Sequence, residues 1–198
     1  VAVVTGAGRM RSIGRPIALA LAKAGCDVVL TGTGKSPERY PDDEKVAGWR
    51  DIESVSDEIR ALGRRALPVI SDVADPSAVE VLADKVQAEF GRVDFVVNNA
   101  GSTRGQDRQP VVTLPISEWQ RVIDTNLNGS FYMAQTFAQR MIALGNGGAI
   151  VNISTLGARL LAAGTAAYAS SKVAINALTT ILSGELGQHG IRVNGVCP

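Results

Sequence analysis

The sequence predicts an α/β fold in which a doubly wound parallel sheet carries helices on both faces. Three observations point there. Short, wholly apolar runs recur along the chain, as in strands buried on both faces. Between them lie longer stretches with apolar residues at helical spacing. The first apolar run, Val1-Ala2-Val3-Val4, feeds directly into a glycine-rich turn and then a helical pattern. Strand and helix alternate to the end of the chain, with no internal repeat, low-complexity tract or linker.

Val1–Val4 is the first strand, and Thr5-Gly6-Ala7-Gly8-Arg9-Met10-Arg11-Ser12-Ile13-Gly14 is the turn after it. Pro16 suits the first turn of the following helix and Gly25 its end. Strand, glycine turn and helix form the phosphate-binding start of a dinucleotide (Rossmann-type) fold. Glycines there let the backbone approach a pyrophosphate, and the helix N-terminus offers free N–H groups. Val28–Thr31 is the second strand. An acid at its end would read the ribose of NAD, but the chain continues Gly32-Thr33-Gly34-Lys35. Lys35, with Arg9 or Arg11, therefore favours NADP(H) through pairing with a phosphate; NAD(H) stays open.

Ser36–Arg50 is polar, contains Pro37, Pro41 and Gly48, and reads as a loop. Ile52, Val55, Ile59 and Leu62 form a helix closed by Gly63. Ala66–Ile70 is the third strand, with Asp72-Val73 at its carboxyl end, where open parallel sheets bind ligands. A helix from Pro76 to about Phe90 and a strand over Val93–Val97 follow, ending in Asn98-Asn99-Ala100-Gly101. Those amides serve either to pin loops or to touch a cofactor. Gly101–Pro115 is a loop. Ser117 and Gln120 suggest a capping box for a long helix containing Asn126 within an apolar stripe, a placement that demands partners if buried. Ala149–Ile153 is the fifth strand, ending in Ser154-Thr155, and Ile191–Val196 is the sixth.

The helix before that sixth strand carries Tyr168-Ala169-Ser170-Ser171-Lys172. Residues four apart share a helix face, so phenol and ammonium can approach one ligand. A cation beside a phenol favours the phenolate, which suits general acid–base work near neutral pH.

Composition narrows the classes. In 198 residues, 20 Lys and Arg offset 19 Asp and Glu, so no electrostatic footprint for nucleic acid or an anionic membrane is visible. No apolar run approaches the roughly 18 residues of a membrane span, and no signal-peptide pattern opens the chain. Cys26 and Cys197 match no metal spacing and His189 is alone, so no zinc site is expected and a reducing, cytoplasmic setting is the default. The chain begins without Met inside one strand-like run and ends at Cys197-Pro198 just after another. It is expected to be one domain, residues 1–198, of a longer polypeptide with segments missing at both ends.

Together these pieces resemble the short-chain dehydrogenase/reductase family, and among its members the 3-oxoacyl-[acyl-carrier-protein] reductases. They are Thr5-Gly6 to Gly14, Asp72-Val73, Asn98 to Gly101, Asp124-Thr125-Asn126-Leu127, Asn152 to Thr155, Tyr168 to Lys172, and Arg192-Val193-Asn194 to Pro198. The resemblance implies that Tyr168 exchanges a proton with a carbonyl or alcohol oxygen. It implies that Lys172 binds the nicotinamide ribose, that Asn126 joins a water-mediated proton relay, and that Ser154 or Thr155 hydrogen-bonds the substrate oxygen. The family spacing favours Thr155, thirteen residues before Tyr168. Implied cofactor contacts are Thr5, Gly6, Gly8, Arg11, Ser12, Ile13, Gly14, Thr33, Lys35, Asp72, Val73, Asn99, Ala100, Gly101, Tyr168, Lys172 and Pro198. The expected substrate is a small carbonyl or alcohol, with a 3-oxoacyl thioester as one candidate. The expected assembly is a homodimer or homotetramer packed on the helices of Asn126 and Tyr168, whose apolar residues Phe131, Phe137, Val173, Leu178 and Ile181 fit either a core or an interface.

Two departures stand out. Two extra residues separate Gly6 from Ser12-Ile13-Gly14, a spacing like that of divergent enoyl reductases. Those place six residues between Tyr and Lys, and here there are three, so ketone reduction is preferred. Other readings are a cofactor-binding sensor without catalysis, which would not need Tyr168, Lys172 and Asn126, and a sugar-nucleotide epimerase or dehydratase.

Overall fold

Six strands form one parallel sheet in the order β3-β2-β1-β4-β5-β6 in the computed structural model, which describes residues 1–198. They are β1 Ala2–Thr5, β2 Val28–Gly32, β3 Ala66–Ile70, β4 Phe95–Asn98, β5 Gly148–Ile153 and β6 Ile191–Val196. Strand order reverses between β1 and β4, so the loops leaving their carboxyl ends diverge and open a crevice there. Pro68 lies in β3, an edge strand paired only with β2, where a missing N–H is tolerated.

Successive residues of β1 point to opposite faces, and both faces are covered. Val3 belongs to a core of 20 buried residues shared with helices α4 (Pro76–Phe90), α6 (Gly129–Leu144) and α8 (Ala166–Leu186). Val4 belongs to a second core of 11 residues shared with α1 (Gly14–Lys23) and α3 (Ile52–Ala61). This double coverage is why the strands read as continuous apolar runs. Ala18 and Ala22 face the sheet from α1, and their small size brings that helix close behind the glycine turn. At the start of α4, Asp75 accepts from the Ser77 amide at 2.9 Å, and Pro76 occupies the first helical turn.

Two segments depart from the sequence expectation. The 36–50 stretch is not only loop: it contains a 3₁₀ turn at Pro37–Arg39 and helix α2, Asp42–Val46. The long helix has no Ser117–Gln120 capping box. Pro115, extended, sits at the cap position, and Ser117 lies inside α5, Ile116–Ile123. A π-helical turn over Asp124–Asn128 then interrupts the path into α6, and Asn126 sits on it. Such turns recur at functional sites. No helix is long and apolar enough to cross a membrane.

Candidate active site

The glycine turn is locked before it reaches the cleft. Thr5 Oγ1 accepts from the amides of Asn99 and Ala100 at 3.0 and 2.9 Å. Asn99 returns two bonds from Nδ2, to the Thr5 and Gly6 carbonyls at 2.8 and 3.1 Å. Thr5 thus acts beneath the cleft, while Asn99 both pins the loop and lines the cleft. Gly14 opens α1 under the same pin. A Cβ there would lie 2.6 Å from Asn99 Nδ2 and 2.8 Å from both Ala7 Cα and the Gly6 carbonyl oxygen. Gly14→Ala is therefore expected to displace the turn and weaken dinucleotide binding at least tenfold, measured by titration against the wild type.

Asn98 is spent on structure: its Nδ2 donates to Asn152 Oδ1 at 2.9 Å and to the Ser130 carbonyl at 3.3 Å. Asn152 in turn donates to Thr179 Oγ1 at 2.9 Å, which ties the ends of β4 and β5 to α6 and α8.

The extra residues of the turn are held by the 36–50 segment. The carboxylate of Glu44, 3% exposed, lies 3.0 Å from Arg9 Nε and accepts from the Met10 amide at 2.8 Å. Trp49 Nε1 donates to the Gly8 carbonyl at 2.6 Å. Arg11 pairs with Asp43 at 2.9 Å and is 80% exposed, so it does not line the cleft as expected. Of the three cations expected to serve a phosphate, only Lys35 is without an ion-pair partner.

These elements wall one end of a cleft of about 500 Å³. Gly6, Gly8, Ser12, Ile13, Thr33 and Lys35 line that end. Asp72, Val73, Ala100 and Gly101 line its middle, and Ser154, Tyr168 and Lys172 its far end. The sequence reading missed Tyr40 and Asp51, which also line it.

At the far end, Tyr168 and Lys172 stand one turn apart on α8. Lys172 is 5% exposed, and Nζ donates to the Ile153 carbonyl at 2.7 Å. Burial pulls its pKa down to about 8, an effect that nearby Cys197 opposes. The Arg108 guanidinium lies 4.2 Å from the Tyr168 ring centroid.

Asn126 is fully buried and takes no place in the cleft wall. Its Nδ2 donates to Ser171 Oγ at 3.0 Å and its Oδ1 accepts from the Ser102 amide at 2.8 Å. It therefore ties the turn of α8 that carries Lys172 to the loop leaving β4, with no direct bond to Lys172. Ser154 Oγ donates to the Lys172 carbonyl at 3.3 Å. Thr155 Oγ1, half-buried, accepts from the Gly157 amide at 3.3 Å, just outside the cleft lining. Pro198 is exposed and off the lining, and Gly14 lies beneath it.

A glycine cradle before a helix N-terminus, leading to a buried ammonium with spare donors, fits a nicotinamide dinucleotide. No group of three or more His, Cys, Asp or Glu side chains is placed to hold a metal ion. Sheet order and the glycine-lined cleft are those of a dinucleotide-binding fold, with Tyr168 and Lys172 in the cleft wall. The whole chain, residues 1–198, matches the short chain dehydrogenase family, and it belongs to that family.

It is 34% identical over 198 residues to the 2-dehydro-3-deoxy-D-gluconate 5-dehydrogenase of Dickeya dadantii, covering 100% of this chain and 70% of the relative. To the 3-oxoacyl-[acyl-carrier-protein] reductase FabG of Staphylococcus aureus it is 36% identical over 197 residues, covering 100% and 72%. A metagenomic short-chain oxidoreductase in complex with NADP superposes with a TM-score of 0.83 at 37% identity, covering 100% of this chain and 80% of that one. Carveol dehydrogenase from Mycobacterium avium in complex with NAD gives 0.86 at 30% identity, covering 100% and 69%. The chain is accordingly an NAD(P)-binding dehydrogenase/reductase of CH–OH and C=O groups.

Proposed function

We propose that this oxidoreductase interconverts a ketone and a secondary alcohol, with Tyr168 moving the proton at the substrate oxygen. The observation that carries the proposal is the placement of Tyr168 and Lys172, one helical turn apart, in the wall of the cleft that starts at the glycine turn. The nicotinamide, when bound, accepts or supplies the hydride. The chain's residues orient the reacting groups and handle the proton. Tyr168 offers its hydroxyl to the oxygen. Lys172 holds the nicotinamide ribose and presents positive charge to the same region. Asn126 is a positioning residue, setting α8 against the loop at Ser102.

We assign the second hydrogen bond to the substrate oxygen to Thr155, at the edge of the cleft, in preference to Ser154, which lines its far end. The Thr155 hydroxyl accepts from Gly157 and its proton is uncommitted, whereas the Ser154 proton already goes to the Lys172 carbonyl. Thr155→Ala is expected to lower turnover by about 10²–10³ by removing a donor from the developing oxyanion. Thr155→Ser is expected to restore most of it, and Ser154→Ala to cost far less. A larger loss in Ser154→Ala than in Thr155→Ala would transfer the role to Ser154.

The substrate classes named by the relatives, a 3-oxoacyl thioester and a keto sugar acid, are the two to test. Oxidation of NADH and NADPH with a ketone panel containing both decides the proposal. Tight dinucleotide binding with no turnover on any carbonyl would support a non-catalytic sensor instead. For assembly we propose a homodimer or homotetramer that covers Phe131, Val173 and Ile181, which are 41%, 41% and 55% exposed. Phe137 belongs to the chain's own core, and Leu178 packs against it, so neither forms that face.

A further inference from the structure

The adenosine end of the cleft holds an acid that sequence position does not suggest. Asp51 directly precedes α3, nineteen residues beyond the end of β2 at Gly32. Its backbone has φ 53° and ψ −132°, the left-handed side of conformational space where a residue other than glycine is strained. Such strain recurs where a side chain must be presented in a fixed direction. Here the turn sends the carboxylate back across the glycine loop. A Cβ on Gly8 would fall 1.5 Å from Asp51 Oδ1, and one on Gly32 would fall 3.1 Å from Oδ2. The carboxylate thus lies over the ends of both strands that hold the adenosine half of a dinucleotide in this fold.

The surrounding charges leave it free for a ligand. No side chain donates to it, and no cation stands within ion-pair distance. Burial pushes its carboxyl up and Glu44 adds to the push, while Arg9, Lys35 and the Ile52 amide pull it down. Arg9 is committed to Glu44 and Arg11 to Asp43. Arg9 and Lys35 are thereby matched in formal charge by Glu44 and Asp51. A 2′-phosphate would need a surplus of positive charge and would meet a carboxylate, whereas vicinal ribose hydroxyls need an acceptor.

We infer that Asp51 is the residue that chooses the cofactor: it accepts from the adenosine ribose hydroxyls and repels a 2′-phosphate, so the cleft takes NAD(H) in preference to NADP(H). This reverses the NADP(H) preference drawn from the bare end of β2. It rests on the dinucleotide reading proposed above.

The test is a titration of NADH and of NADPH into the wild-type chain, Asp51→Asn and Asp51→Gly, followed by nicotinamide fluorescence. Glycine accepts the positive φ, so that variant keeps the turn even if asparagine disturbs it. The wild type is expected to bind NADH at least tenfold more tightly than NADPH, and both variants to shift the ratio at least tenfold toward NADPH. A wild-type preference for NADPH, or a ratio indifferent to Asp51, overturns the inference and leaves the proposed reaction standing. If neither dinucleotide binds, the cofactor reading and the inference fall together.

Discussion

Tyr168→Phe is expected to reduce turnover by about 10²–10⁴, the range supplied by a positioned general acid–base group, while leaving the rest of the protein unchanged. The substitution removes one oxygen from a half-buried ring. The wild-type hydroxyl has no hydrogen-bond partner within the chain, so its loss orphans no buried group. The ring keeps its place under the Arg108 guanidinium at 4.2 Å, a contact that depends on the π face and not on the hydroxyl. Unfolding midpoint and dinucleotide affinity should therefore match the wild type, and only the chemical step should fail. Steady-state rates, a denaturant melt and a cofactor titration on the two proteins separate these quantities. Equal turnover would remove Tyr168 from the proton path. A parallel fall in stability would mean that the hydroxyl is structural.

The elements most legible in the sequence are those punctuated at both ends. β3, α4 and β6 match their expected limits to the residue, because proline, glycine and apolar runs set those limits locally. The Tyr168–Lys172 pair was legible for the same reason: one helix fixes the spacing, and no distant contact is needed. Asn126 could be flagged as an amide in an apolar stripe. Its partners, Ser171 and the Ser102 amide, are 45 and 24 residues away and left no local signal.

The 36–50 segment was opaque because its order comes from outside. Asp42–Val46 is five mostly polar residues, and the buried Glu44 is held by hydrogen bonds from the Arg9 side chain and the Met10 amide. Reading that segment as loop also left Arg9 and Arg11 looking free for a phosphate. Asp51 was missed for a related reason. Its relevance depends on a positive φ at a non-glycine residue and on the close approach of Gly8 and Gly32, and neither can be read from residue type alone.

Lys172→Met is expected to abolish most activity while making the fold less costly at neutral pH. The wild-type ammonium is almost fully buried and its pKa is about 8, against an ordinary 10.5. The difference of about 2.5 units corresponds to about 3 kcal/mol of destabilisation when the side chain is charged. Below pH 8 both folded and unfolded chains hold the proton, so the full penalty is present. Between pH 8 and 10.5 the unfolded chain holds more protons, so stability rises with pH, by about 1.4 kcal/mol per unit at most. Methionine fills a similar volume without charge. It also leaves the Ile153 carbonyl without its 2.7 Å donor, a loss of about 1–3 kcal/mol if that oxygen stays dry. The variant should thus match or exceed the wild type by about 1 kcal/mol at pH 7, and fall behind as the pH approaches 10. Urea unfolding of both proteins at pH 7, 8 and 9 measures the difference, and subtraction removes every other titrating group. A pH-independent difference would mean that Lys172 is not held as a buried charge. With the sign change observed and turnover lost, the penalty at Lys172 is what the fold sustains to keep an ammonium in a dry wall of the cleft. There it can serve a ligand rather than water.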